Sequence, residues 1–145
     1  MKTLIVYYSN SGNTKKAAEA LAVELGAELA EIREDRPRKG LSGFLRSGFE
    51  AATKKATRIR PLGAKPEDFE RTIVASPVWA GHLSSPVRAF LCDQGTHIAE
   101  FGVLLTHAAP SAKNDYPTVV AEAEKLIGKK SVFTRSVVGP FSMKK

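Results

Sequence analysis

Ile5-Val6-Tyr7-Tyr8-Ser9-Asn10-Ser11-Gly12-Asn13-Thr14 is the stretch whose reading decides the fold. The run Leu4 to Tyr7 is continuously apolar, as a central parallel strand buried on both faces requires. It stops abruptly in hydroxyls (Ser9, Ser11, Thr14), amides (Asn10, Asn13) and Gly12, directly before the helical spacing Ala17, Ala18, Leu21, Ala22, Leu25. Strand, polar loop and helix in that order aim backbone N–H groups and the positive helix end at one point, where an anion is favoured.

Two better-known glycine-rich loops do not fit. No Gly-x-Gly-x-x-Gly follows the strand, and Lys15-Lys16 do not complete a Gly-x-x-x-x-Gly-Lys-Ser/Thr pattern. With no catalytic lysine and no metal-binding carboxylate, the loop reads as a grip on a phosphate by neutral hydrogen bonds, for holding and not for cleaving. A phosphomonoester tail is the natural ligand. The competing reading is an ordinary turn with a Ser, Asn or Thr helix cap, but one cap needs one such residue and this loop holds six small polar or glycine positions.

The alternation continues downstream. Gly26 closes the first helix, and Glu28 to Ile32 reads as a weaker strand. Leu41, Phe44, Leu45, Gly48, Phe49 and Ala52 trace one helix face. Thr72 to Ser76 is a third strand, and Ser85 with Pro86 caps a helix bearing Val87, Phe90 and Leu91 on one side. Phe101 to Thr106 is a fourth strand, Pro117 opens a helix closed by Gly128, and Ser131 to Val138 is a fifth strand. One α/β domain over 1–145 follows, a doubly wound parallel sheet of five strands with ligands at the carboxyl ends of its strands. The loops Ser9 to Thr14, Pro77 to Ser84 and His107 to Tyr116 are expected to converge there.

The second loop, Ser76-Pro77-Val78-Trp79-Ala80-Gly81-His82, places the only tryptophan at that mouth. Trp79 offers a face for a planar ring, Gly81 allows close backbone approach, and His82 or backbone amides offer hydrogen bonds to ring edges. The alternative is a core tryptophan beneath a loop. His82 also reads either as a proton-coupled group or as an ordinary loop residue, the second being the commoner role.

Of 145 residues, 43% are hydrophobic and 26% charged, ordinary for a globular domain. The N-terminal apolar run is too short for a signal peptide or a membrane span, so a cytoplasmic location without membrane contact is expected. Cys92 reads as a structural thiol. His82, His97 and His107 lack ligand spacing, so no metal is expected. The net charge of +7 is concentrated in 33–65, where Arg33, Arg36, Arg38, Lys39, Arg46, Lys54, Lys55, Arg58, Arg60 and Lys65 face only Glu34, Asp35 and Glu50. Without interleaved aromatics this is a weak nucleic-acid signal; it favours an acidic protein partner or a solvated basic face.

The chain resembles the flavodoxin family, on the phosphate-loop pattern of Ile5 to Thr14, the Pro77-Val78-Trp79-Ala80-Gly81 loop and the β-α units over about 1–138. The resemblance implies a flavodoxin-like three-layer sandwich with strand order 2-1-3-4-5, and flavin mononucleotide (FMN) as cofactor. It implies that Ser9, Asn10, Ser11, Gly12, Asn13 and Thr14 hold the phosphate, that Pro77, Val78, Trp79, Ala80, Gly81 and His82 flank the ring, and that Thr106, His107 and Ala108 make a third contact. No protein catalytic residue is implied, because the flavin carries the chemistry. Function is then electron transfer through a non-covalent flavin, with a protein redox partner. The alternatives are an NAD(P)H-dependent FMN or quinone reductase of the same fold, and a non-redox interaction module using 33–65. Three features depart from the family: the basic charge, a third loop with no aromatic before Tyr116, and an end soon after Val138 that leaves out the usual fifth helix. The last predicts an exposed sheet face and therefore association, as a homodimer or with a partner.

Overall fold

The computed structural model describes residues 2–10, 12–34, 59–79, 82–107 and 116–138. Its elements run β1 (Thr3–Tyr7), α1 (Asn13–Leu25), β2 (Glu28–Glu31), β3 (Arg71–Trp79), β4 (His82–Leu83), α2 (Ser85–Gln94), β5 (Glu100–His107), α3 (Tyr116–Ile127) and β6 (Ser131–Val138). The helix expected over Leu41 to Ala52, and most of the basic 33–65 segment, lie outside the described residues.

The sheet order is β2-β1-β3-β5-β6, every neighbour parallel, with β4 turned back antiparallel onto β3. Counting the long strands alone, this is the expected order 2-1-3-4-5. All five residues of β1 are buried, as its unbroken apolar run requires. One face packs Leu4, Val6, Val74, Val103 and Leu105 against Val87, Phe90 and Leu91 of α2 and Val119 and Ala123 of α3. The other packs Ile5, Tyr7, Ile73, Ala75 and Leu104 against Ala17, Ala18, Leu21 and Ala22 of α1. Gly26 and Gly128 end their helices with φ of 65° and 73°, the left-handed geometry that glycine adopts without strain.

Three local readings are corrected. β3 runs through Pro77 to Trp79, so the expected second loop is largely a tight hairpin in which Val78 pairs with Leu83 and Trp79 with His82. Ala75, whose carbonyl accepts the Tyr8 N–H, and Pro77 two residues on face the β1 side, where β1 has already ended at Tyr7, so the missing N–H breaks no ladder bond. The cap of α2 is Ser84, and its hydroxyl bonds Ser76 Oγ at 3.0 Å without capping the helix. Cys92 is exposed: one step past Leu91, it falls off the face that Val87, Phe90 and Leu91 bury.

The sheet face beyond α1 is covered in part by its own side chains. Phe133 and Val137 pack against the α1-side cluster. The Arg135 guanidinium lies 5.3 Å from the Phe133 ring centre and forms two bonds to Glu24 of α1, at 2.9 and 3.0 Å. Gly102 makes room beside it: a Cβ there would stand 3.0 Å from both Ile73 Cγ1 and Phe133 Cβ.

Hydrogen bonding to Arg135, and then its charge, holds the Glu24 carboxyl below its ordinary 4.5. A carboxyl that titrates lower in the folded chain than in the unfolded one contributes stability above that value and loses it as pH falls. Glu24→Gln should therefore melt below wild type at neutral pH, with the gap closing as pH falls below 4.5 and through the lower folded-state value; thermal unfolding across pH checks this. Gly102→Val should cost about 1–3 kcal/mol by overpacking, read by urea denaturation.

Candidate functional site

The carboxyl ends of β1, β3 and β5 lie side by side, because Tyr7 pairs with Ala75 and Pro77 with Thr106. The three expected loops therefore start from adjacent points. Two contacts bind them together. Thr14 Oγ1 and Thr106 Oγ1 are 2.8 Å apart in a buried hydrogen bond, joining the first loop to the end of β5. The Tyr8 and Trp79 rings meet edge to face, 5.6 Å between centres at 89°, joining the end of β1 to the hairpin.

Within the first loop, Gly12 has φ 101° and its N–H donates to Ser9 Oγ at 3.0 Å. The cap residue of α1 is Gly12, which brings no side chain to cap it, and among the described residues the first turn holds no acidic side chain. A loop rich in capping residues thus puts a glycine, not one of them, at the cap position of a 13-residue helix, at its positive end. Ser9, Gly12 and Asn13 are half-buried and Asn10 is exposed, whereas Thr14 is only 2% exposed. Ser11 lies outside the described residues.

Trp79 combines the two readings of it. It is half-buried, touching the core cluster and Tyr8. Tyr8 in turn donates its hydroxyl to Glu34 Oε1 at 2.8 Å in a buried bond. The hairpin base is closed by Ser76 and Ser84: the Ser84 N–H donates to Ser76 Oγ at 3.1 Å, and Ser76 Oγ donates to the Pro77 carbonyl at 2.8 Å. Pro77 and Val78 are half-buried within β3, and Ala80 and Gly81 lie outside the described residues. At the third contact, Thr106 is spent on Thr14, and His107 is buried at 3% exposure on the β5 face that also carries Val103 and Leu105. Ala108 lies outside the described residues.

Sequence reasoning missed three charged residues around the hairpin. Glu34 stood out only as an acid in a basic stretch. Glu122 of α3 accepts the Leu83 N–H at 3.4 Å, stands 3.4 Å from His82 Nδ1, and pairs through its other oxygen with Arg88 of α2. No motif marks that pair; the available signal was a charge, Arg88, set amid the apolar face of α2. Among the described residues no three His, Cys, Asp or Glu side chains could hold a metal ion, and no helix is long and apolar enough to cross a membrane. Burial, reinforced by Glu31 and Glu19, pushes the Tyr7 phenol above its ordinary 10.0.

Comparison with solved structures places this geometry. A Lactobacillus acidophilus NCFM flavoprotein, crystallised in complex with FMN, superposes with a TM-score of 0.77 at 23% identity, over 93% of this chain and 92% of that one. A Bacteroides uniformis putative flavoprotein gives 0.76 at 18% identity, over 95% and 90%. The flavodoxin of Streptococcus pneumoniae TIGR4 gives 0.55 at 14%, over 99% and 88%. The fold is flavodoxin-like. No protein-family model matches the chain, and neither does any curated protein.

Removing the hydroxyl that ties the site to Glu34, three residues past β2, should be costly. Tyr8→Phe is expected to lose about 1–3 kcal/mol, because it takes a donor from the buried Glu34 carboxyl, and to loosen the Trp79 contact. Denaturant unfolding measures the first, and tryptophan fluorescence anisotropy the second.

Proposed function

We propose that this chain is an FMN-binding redox protein that passes electrons to and from a protein partner through a non-covalent flavin. The observation that carries the reading is the N-terminus of α1 with the left-handed Gly12 at its cap, tied through Thr14 and Thr106 to the strand end beside the Trp79 hairpin. The structural neighbour solved with FMN, at a TM-score of 0.77, supports it.

The residues present fit the group. Ser9, Asn10, Ser11, Gly12, Asn13 and Thr14 would hold its phosphate with neutral donors and the helix end. Pro77, Val78, Trp79, Ala80, Gly81 and His82 would flank the ring, and Thr106, His107 and Ala108 would close the third side. The flavin, when bound, supplies the capacity to accept and release one or two electrons. The chain's task is to hold it, to exclude water from one ring face with Trp79 and Tyr8, and to leave an edge open to a partner. A net charge of +7 favours an acidic partner surface.

Purified protein reconstituted with FMN should be yellow, with the two visible bands of oxidised flavin; a protein that FMN cannot reconstitute would sink the reading. Thr14→Val should lower stability by about 1–3 kcal/mol, leaving Thr106 without its partner, and should weaken FMN more than riboflavin, which lacks the phosphate. Slow direct reduction by NADPH alongside fast reduction by a reductase supports the carrier. Rapid NADPH oxidation with a quinone acceptor would move the assignment to a reductase.

A further inference from the structure

Buried charge beside the hairpin has a chemical consequence for His82. Glu122 is 12% exposed and Arg88 5% at their side chains. A carboxylate only accepts hydrogen bonds and a guanidinium only donates them. Glu122 Oε2 is taken by Arg88, while Oε1 accepts the Leu83 N–H and stands 3.4 Å from His82 Nδ1. A lone pair on Nδ1 would face a carboxylate oxygen and be repelled, so that nitrogen carries the hydrogen. In a neutral imidazole Nε2 is then left as an acceptor.

We propose that the Arg88–Glu122 pair is a positioning device that fixes His82 as its Nδ1–H tautomer, so that Nε2 selects a ring edge bearing an N–H donor. His82 is a quarter exposed and pairs across the hairpin with Trp79. It is thus the polar side chain nearest in register to the aromatic face assigned to the ring. Oxidised flavin has a single ring N–H, at N3, which is the donor such an acceptor requires. This part of the inference rests on the flavin reading above; the tautomer does not.

Arg88 is also what makes the device testable. Its Nη1 is buried without a hydrogen-bond partner among the described residues, so the side chain is already short of acceptors. In Glu122→Gln the single amide oxygen should turn to Arg88, whose buried charge needs it more than the long 3.4 Å bond from the Leu83 N–H, leaving the NH₂ group toward His82. Nδ1 must then accept, and the imidazole flips to its Nε2–H form.

The first measurement is ¹⁵N NMR of the protein without flavin, at a pH where the imidazoles are neutral. For His82 the expected result is a protonated-type Nδ1 with an unprotonated-type Nε2 in wild type, and the reverse in Glu122→Gln. The opposite tautomer in wild type overturns the proposal whatever the ligand is. The second is binding of FMN against its N3-methyl analogue. Wild type should prefer FMN by about tenfold, the scale of one hydrogen bond, and Glu122→Gln should lose that preference. His82→Phe, a change on a partly exposed hairpin that spares the buried pair, should lose it too and covers the case in which Glu122→Gln does not fold. Equal binding of the two flavins by wild type overturns the selection step while leaving FMN binding in place. Failure of wild type to bind either flavin overturns the flavin reading and the selection step together, with the tautomer decided by its own spectrum.

Discussion

Burial of β1 on both faces is the constraint from which the arrangement follows. A strand with no exposed side needs neighbours on either edge and helices above and below. β2 and β3 take the edges, α1 covers one face, and the cluster holding α2 and α3 residues covers the other. Once β1, β3 and β5 run parallel in adjacent positions, their carboxyl ends cannot separate. The polar residues that follow them are brought together by the core, and the Thr14–Thr106 bond and the Tyr8–Trp79 contact lock what the core has placed.

The same constraint explains what was legible in the sequence. Leu4 to Tyr7, Phe101 to Thr106 and the Val87, Phe90, Leu91 spacing are periodic signals generated by burial itself, and each element stands where its pattern put it. The hairpin was less legible, since Pro77 reads as a stop, yet a proline late in a strand forfeits little pairing. Glu122 and Arg88 were illegible for another reason. Their meaning lies in a meeting of two helices and β4, which no local spacing records, and Glu34 joins Tyr8 across 26 residues. At the candidate site, Ser9 to Thr14 could be read because its density of small polar residues exceeds what one helix cap needs. That Thr14 is buried against Thr106 could not.

The site divides its labour between kinds of group. The end assigned to phosphate is neutral and backbone-rich, while ionised groups collect behind the hairpin, where Arg88 and Glu122 are shielded and mutually paired. A buried pair of this kind adds little net stability compared with apolar packing, but removing one member leaves a costly charge. Its presence next to the hairpin and not deeper in the α2–α3 contact is consistent with a role in orientation.

The register between β5 and β6 slips between Phe101 and Gly102, which pair with Ser131 and Phe133. Val132 is the surplus residue, and it is 55% exposed. β6 ends the described sheet, and an outer strand offers unpaired backbone groups to a further strand. A bulge at its start breaks the straight ladder that such an extension would copy, and Lys129 and Lys130 stand just before it. The irregularity that strands a valine in solvent thus makes this outer strand a poorer template for a further strand than a straight edge would be.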